Sequence, residues 1–264
     1  MSALALGNPA EEWRARLCLA RVYLAIGRAS DALKHLDVSR RLAPDDKRQQ
    51  DIVRSSLAHT LLTAGNFRDG FELINKEWSD PTTHIWGSGI PMWDGDFGKL
   101  KDARLLVHHH QGLGDTIQFC RFLPQLIDAS DEVLVVTPRP LRRLIETNFQ
   151  VATTDLVGPI PSADYQVPFG LLPGLLKLTL DDLASIEIPY LHNTVSLSHK
   201  ISLPVDSLNV GIAWRANPRA ATGEKRSIPL GQFFRLAEIP GVKLYGLQES
   251  GTGEIYESGA SAFI

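Results

Sequence analysis

The chain is poor in the residues that would announce a disulfide scaffold, a metal centre or a membrane anchor. Its 264 residues include two cysteines, Cys18 and Cys120. They are far apart, lack metal-ligand spacing and sit among apolar residues on expected helices, so buried free thiols in a reducing compartment are expected. No apolar run approaches the length of a bilayer span. The opening MSALALGNPAEEW lacks the basic leader and long apolar core of a secretory signal. These absences lead us to expect a cytoplasmic protein with no membrane span. A basic excess is also missing: 27 Lys and Arg stand against 30 Asp and Glu, a net charge of -3, which argues against a dedicated nucleic-acid binder. What is present, 44% hydrophobic and 22% charged residues, suits a globular chain of one large domain or two smaller ones.

The most informative stretch is ARLLVHHHQGLGDTIQFCRFLP, residues 103–124. Leu105, Leu106 and Val107 form the short apolar run of a strand covered on both faces. Gly112 and Gly114 bracket a turn where backbone can approach a ligand. Asp115 stands three residues before Gln118, the spacing of a capping box with Asp115 as N-cap. The helix that follows is apolar nearly all round, with a narrow wet stripe at Gln118, Arg121, Gln125 and Asp128, and Pro124 is expected to kink or split it. A strand, a glycine turn and a helix start together make a candidate ligand site. They also make an ordinary tight connection, and spacing alone favours that plainer reading. The pattern is not the dinucleotide fingerprint, whose third glycine is replaced by Ile117. His108, His109 and His110 alternate faces on a strand and cannot all converge on one ion, so no metal is expected.

Before this stretch the pattern is helical. Residues 10–44 read as a hairpin turning at Gly27 and stopping at Pro44, and residues 51–78 repeat the plan around Gly65. Leu19, Ala20, Tyr23, Gly27, Ala32, Leu36 and Pro44 fall on the signature positions of the tetratricopeptide repeat, a unit of about 34 residues, so residues 1–80 resemble such repeats. In the second hairpin Gly70 stands where the repeat has a small alanine. Two repeats are too few for an independent solenoid and need a packing partner; a generic four-helix cap is the alternative. Residues 81–102, rich in Gly, Pro, Asp and Trp, read as a connector. There Pro91, Trp93 and Gly95 suggest a turn whose aromatic docks on a neighbouring domain, with ligand stacking by Trp86 or Trp93 a weaker option.

From residue 103 strands and helices alternate, which implies a parallel sheet covered by helices, with ligands outside the carboxyl ends of its strands. Further strands are expected at Val133–Val136, Asp155–Val157, Ala163–Val167, Val210–Trp214 and Val242–Leu247. Helices are expected at Leu141–Thr147, near Leu180–Ser185 and at Leu230–Ala237. A boundary near Leu203–Ser207 separates a lobe at 103–205 from the start of a second α/β lobe at 206–264. Residues 249–264 are Gly/Ser-rich with three Glu and no Lys or Arg. Two strands and one helix cannot bury a core alone, so the sequence reads as truncated or frameshifted there.

With PMWDG at 91–95, QGLGDTIQFCRFLP at 111–124, IPYL at 188–191, GIAWRANP at 211–218 and RSIPL at 226–230, the chain resembles bacterial tetratricopeptide-repeat glycosyltransferase-like proteins. Their GT-B fold is related to the heptosyltransferases and to O-linked N-acetylglucosamine transferases. The fold class expected is α plus α/β: helical repeats, a Rossmann-like lobe for the acceptor and the start of a second lobe for a nucleotide-sugar. The resemblance implies inverting transfer with Asp115 as general base, since a base must take the acceptor hydroxyl's proton as the sugar–phosphate bond breaks. It implies Arg226, with Lys225 beside it, as the cation against the leaving diphosphate. Asn217 is a candidate phosphate contact, and Gln111, Gly112 and Gly114 are candidate substrate contacts. It implies no metal and no cofactor beyond the nucleotide-sugar substrate. The acceptor, glycan or protein, stays open, as does a protein partner for the repeats. The usual donor-site segment after Gln248 is absent. The rival expectation is a non-catalytic scaffold in which a remnant lobe and the repeats bind a partner.

Overall fold

The computed structural model describes residues 9–78, 89–109, 112–155, 157, 160–193, 202–216, 223–248 and 255. The chain is mixed helix and sheet and divides into two compact units, Met1–Thr194 and Val195–Ile264.

The first unit opens with four helices, α1 (Pro9–Ala25), α2 (Ala29–Leu42), α3 (Lys47–Thr63) and α4 (Phe67–Trp78). They pack as consecutive antiparallel neighbours, reversed at Gly27 and Gly65, which take φ of 76° and 82°. Trp13, Leu17 and Ala20 recur at helical spacing and close on Ala32, Leu36 and Val53. The small residues Ala20 and Ala32 let α1 and α2 approach closely, and Tyr23 stacks on His35 at 5.2 Å. Asp46 caps α3 by accepting from the Gln49 N–H at 3.0 Å.

The sheet of this unit has four parallel strands, β1 (Arg104–His108), β2 (Glu132–Val136), β3 (Ala152–Thr154) and β4 (Tyr165–Pro168), in spatial order β3-β2-β1-β4. Between them run α5 (Leu113–Phe119), α6 (Leu123–Ala129) and α7 (Arg139–Phe149), followed after β4 by α8 (Leu172–Leu175) and α9 (Leu180–Ser185). β1 is central. Leu105, Leu106 and Val107 are fully buried, each worth about 1.5–3 kcal/mol relative to exposure. Pro124 sits in the first turn of α6, and a 3-10 turn at Cys120–Phe122 separates that helix from α5. The expected split therefore falls where proline lacks its N–H. Trp93 is buried in the sheet's core, and its indole N–H donates to Asp96 O at 2.9 Å. It has no face left for a ligand, while Trp86 lies outside the described residues.

Helical layer and sheet share one unit. Ile74 of α4 packs against the sheet's core, and a Cβ on Gly174 of α8 would meet the Asn75 side chain at 2.4 Å. A larger residue there would have to displace the Asn75 side chain.

Three expectations are corrected. The third strand is Ala152–Thr154, not Asp155–Val157. It begins two residues after Gln150, whose left-handed φ of 55° ends α7, and as an edge strand it is held by backbone pairing rather than apolar side chains; Val157 is 80% exposed. In the second unit β5 spans Leu208–Ile212, two residues earlier than expected, and pairs in parallel with β6 (Val242–Gly246) across α10 (Phe234–Ala237). Trp214 lies beyond the ladder, yet its side chain completes the small core with Ile212, Leu230 and Leu244. Finally, Cys18 is exposed. It follows Leu17 by one position, about 100° around α1, away from the face that buries Trp13, Leu17 and Ala20.

Cys120 is buried, and its thiol donates to Ile117 O at 3.1 Å. Burial pushes its pKa up to about 12. Because the thiolate is the reactive form, Cys120 stays inert until pH climbs towards that value. Titration of the native protein with a thiol reagent at pH 8 should therefore show one fast group, Cys18, and a second only after unfolding in urea. Two fast groups in the native state would contradict this packing.

Candidate functional site

The sheet order changes direction between β1 and β4: the chain passes from β1 outward to β2 and β3, then returns to the far side of β1. Open parallel sheets bind ligands at such a point, outside the carboxyl ends of the strands. Here that place is bounded by the turn into α5 and by the 3-10 turn Phe169–Leu171 after β4.

The start of α5 differs from the sequence-based expectation. Gly112, in extended conformation, is the N-cap, and Asp115 lies at the third helical position. Its Oδ2 accepts the Gly112 N–H at 2.9 Å. Asp115 thus plays the part expected of Gln118, and glycine, having no side chain, cannot return the bond. The helix starts early because Leu113 and Gly114 continue from the extended Gly112 directly into helical geometry, and a Cβ on Gly112 would crowd Asp115 Oδ2 at 3.1 Å. Asp115 Oδ1 has no partner among the described residues, and the side chain is half-buried. Neither Gly112 nor Gly114 has positive φ. A Cβ on Gly114 would meet nothing within 4 Å, so the backbone there does not demand glycine.

Asp115 borders a cleft of about 390 Å3 enclosed by α3 and α4 on one side and by α5, the turn after β4 and the α8–α9 segment on the other. The volume lies in the range of small-molecule sites. Gln118 and Arg121, two residues of the expected wet stripe, also line it. Arg121 is clasped: its Nε donates to Gln118 O at 2.6 Å, an Nη donates to the Tyr190 hydroxyl at 3.1 Å, and its guanidinium lies 4.3 Å from the Tyr190 ring centre. Tyr190 in turn donates to Ile117 O at 3.1 Å. The IPYL segment therefore ties down the helix that carries Asp115. The contribution of α3 and α4 to the cleft was not legible in the sequence, because nothing local says which face of a repeat meets the sheet.

Behind Asp115, His109 Nδ1 lies 2.7 Å from the Thr116 hydroxyl, and His108 is buried at the end of β1. Gln111 and His110 lie outside the described residues. Among the described residues, no three His, Cys, Asp or Glu side chains converge as metal ligands would.

In the second unit, Lys225 and Arg226 lie exposed on the short turn Glu224–Arg226 and make no ion pair among the described residues. Asn217 lies outside the described residues. The loop after β5 is held from within: Gln248 Oε1 accepts the Trp214 and Arg215 N–H groups at 3.1 and 2.9 Å. Ser227 Oγ accepts the Ala216 N–H at 3.1 Å and donates to Gly223 O at 2.8 Å. Three amides that an open phosphate loop would present are thus committed to side chains. Gln248 and Ser227 were not singled out in the sequence; Ser227 falls inside RSIPL, which was the only signal.

No family model, curated protein or solved structure matches the chain.

Gly114→Ala offers a direct test of why glycine stands at the turn. With open space around it, alanine should leave the melting temperature unchanged or raise stability by up to about 1 kcal/mol, the helix-propensity difference. A fall in melting temperature would show that the backbone itself requires glycine.

Proposed function

We propose that the chain is a tetratricopeptide-repeat glycosyltransferase-like protein of GT-B type, transferring a sugar with inversion from a nucleotide-sugar to an acceptor hydroxyl without a metal. The observation that carries the reading is the Asp115 carboxylate: half-buried beside a cleft at the switch point of a parallel sheet, with Oδ2 anchored and Oδ1 without a partner among the described residues. In this reading Oδ1 takes the proton of the acceptor hydroxyl. The acceptor oxygen bonds to the anomeric carbon as the bond from that carbon to the diphosphate oxygen breaks, and the nucleoside diphosphate leaves with the electron pair. Arg226, with Lys225, is the cation for that leaving group; both are exposed and make no ion pair among the described residues, which leaves them available for it. The repeat assignment is supported by two successive hairpins with left-handed glycine turns and small buried residues at the helix contacts.

A second reading, a non-catalytic scaffold, is favoured by the same Gly112–Asp115 bond, since a carboxylate at the third helical position has a structural task of its own. Two substitutions separate them. Asp115→Asn keeps an oxygen for the Gly112 N–H, so it should melt with the parent and lose transfer by at least about a hundredfold, the lower range for a general base. Asp115→Ala should additionally cost about 1 kcal/mol through loss of the capping bond. Transfer at the parental rate in Asp115→Asn would remove the base. A parent that turns over no nucleotide-sugar but binds a protein saturably would favour the scaffold.

A further inference from the structure

The cleft beside Asp115 is walled mostly by hydrocarbon. Leu62, Phe67 and Phe71 line it from the helical layer, and Phe119, Leu178 and Leu183 from the sheet side. All of these but Leu178 are only half-buried, and Phe67 and Phe71 meet edge to face with ring centres 6.0 Å apart. Large apolar side chains left partly open around an enclosed volume suit an apolar guest.

The polar groups of the lining are few and selective. One acid, Asp115, and one cation, Arg121, cancel in formal charge, and the guanidinium is already engaged by Gln118 O and Tyr190. His59 Nδ1 lies 2.7 Å from the Ser55 carbonyl oxygen. A carbonyl only accepts, so Nδ1 carries a proton, and Nε2 is the ring nitrogen that can act as an acceptor. The Asp115 carboxylate, the Gln118 amide oxygen and the His59 acceptor nitrogen belong to this lining, matched to the hydroxyl hydrogens of an uncharged ligand, while the Gln118 NH2 can donate to its oxygens. A phosphate would meet hydrocarbon that cannot solvate it and a carboxylate that repels it.

We infer that this cleft takes an uncharged glycoside with an apolar aglycone as the acceptor, the sugar hydroxyls at Asp115 and its rim and the apolar group against Phe67, Phe71 and Phe119. The word acceptor rests on the transfer reading above; the binding itself needs no donor.

The test is equilibrium dialysis of the full chain against a methylumbelliferyl glucoside and its sugar-phosphate counterpart. The neutral glucoside should bind saturably, and the phosphate at least about tenfold more weakly. Phe67→Ala should weaken the glucoside by about tenfold through lost apolar contact while melting close to the parent. Should Phe67→Ala fail to fold, Gln118→Trp decides, because it fills the cleft from an exposed position on α5 and should abolish binding. No saturable binding of the glucoside, equal or tighter binding of the phosphate, or binding unchanged in the folded variants would overturn the inference. The two readings fail separately. Glucoside binding at the cleft with parental transfer in Asp115→Asn would remove the base and keep the ligand class. Asp115-dependent transfer without glucoside binding would remove the ligand class and keep the base.

Discussion

The burial of β1 is the constraint on which the rest of this molecule depends. Leu105, Leu106 and Val107 can leave water only if strands flank them and helices cover both faces. β2 supplies one flank and β4 the other, and because they lie on opposite sides of β1, the chain must reverse its direction across the sheet there. That reversal opens the crevice at the carboxyl ends of β1 and β4. The position of Asp115 is thus a consequence of hydrophobic burial several residues earlier: the buried strand ends, the chain must turn, and the first turn of α5 faces the gap.

The helical layer gains its role from the same economy of surface. Four short helices bury a small core of their own around Leu36 and Val53, but α4 also gives Ile74 to the core of the sheet. Gly174 lets the two layers touch closely at Asn75. Near α5 they stand off, and the difference between touching at α8 and standing off there is the cleft. Its walls are apolar because both are faces that would otherwise have been core.

Much of this was legible in the sequence. The apolar run of β1, the helical periodicity before it, the split at Pro124 and the bounds of α9 follow from patterns within a few residues of each other. The differences between expectation and structure have a common physical origin. Asp115 stands at capping spacing to Gln118, but the helix begins three residues earlier, with Gly112 as N-cap, and Asp115 becomes its third position. An edge strand of Ala and Thr such as β3 is held by backbone bonds to β2, which leave no mark in hydropathy. Cys18 has apolar neighbours in the chain, but its own angle around α1 points outward.

The sequence by itself determined where the chain is helical, where its central strand lies and which carboxylate follows the glycine turn, since each of these depends on local periodicity and local sterics. The tertiary structure alone decided that Asp115 anchors Gly112 with one oxygen and borders a cleft. It alone decided that Arg121 is clasped by Tyr190 from 69 residues away, and that α3 and α4 furnish the apolar wall. The physical reason is that a cavity belongs to no segment: it is the space left where surfaces distant in the chain meet imperfectly, and only their packing defines it.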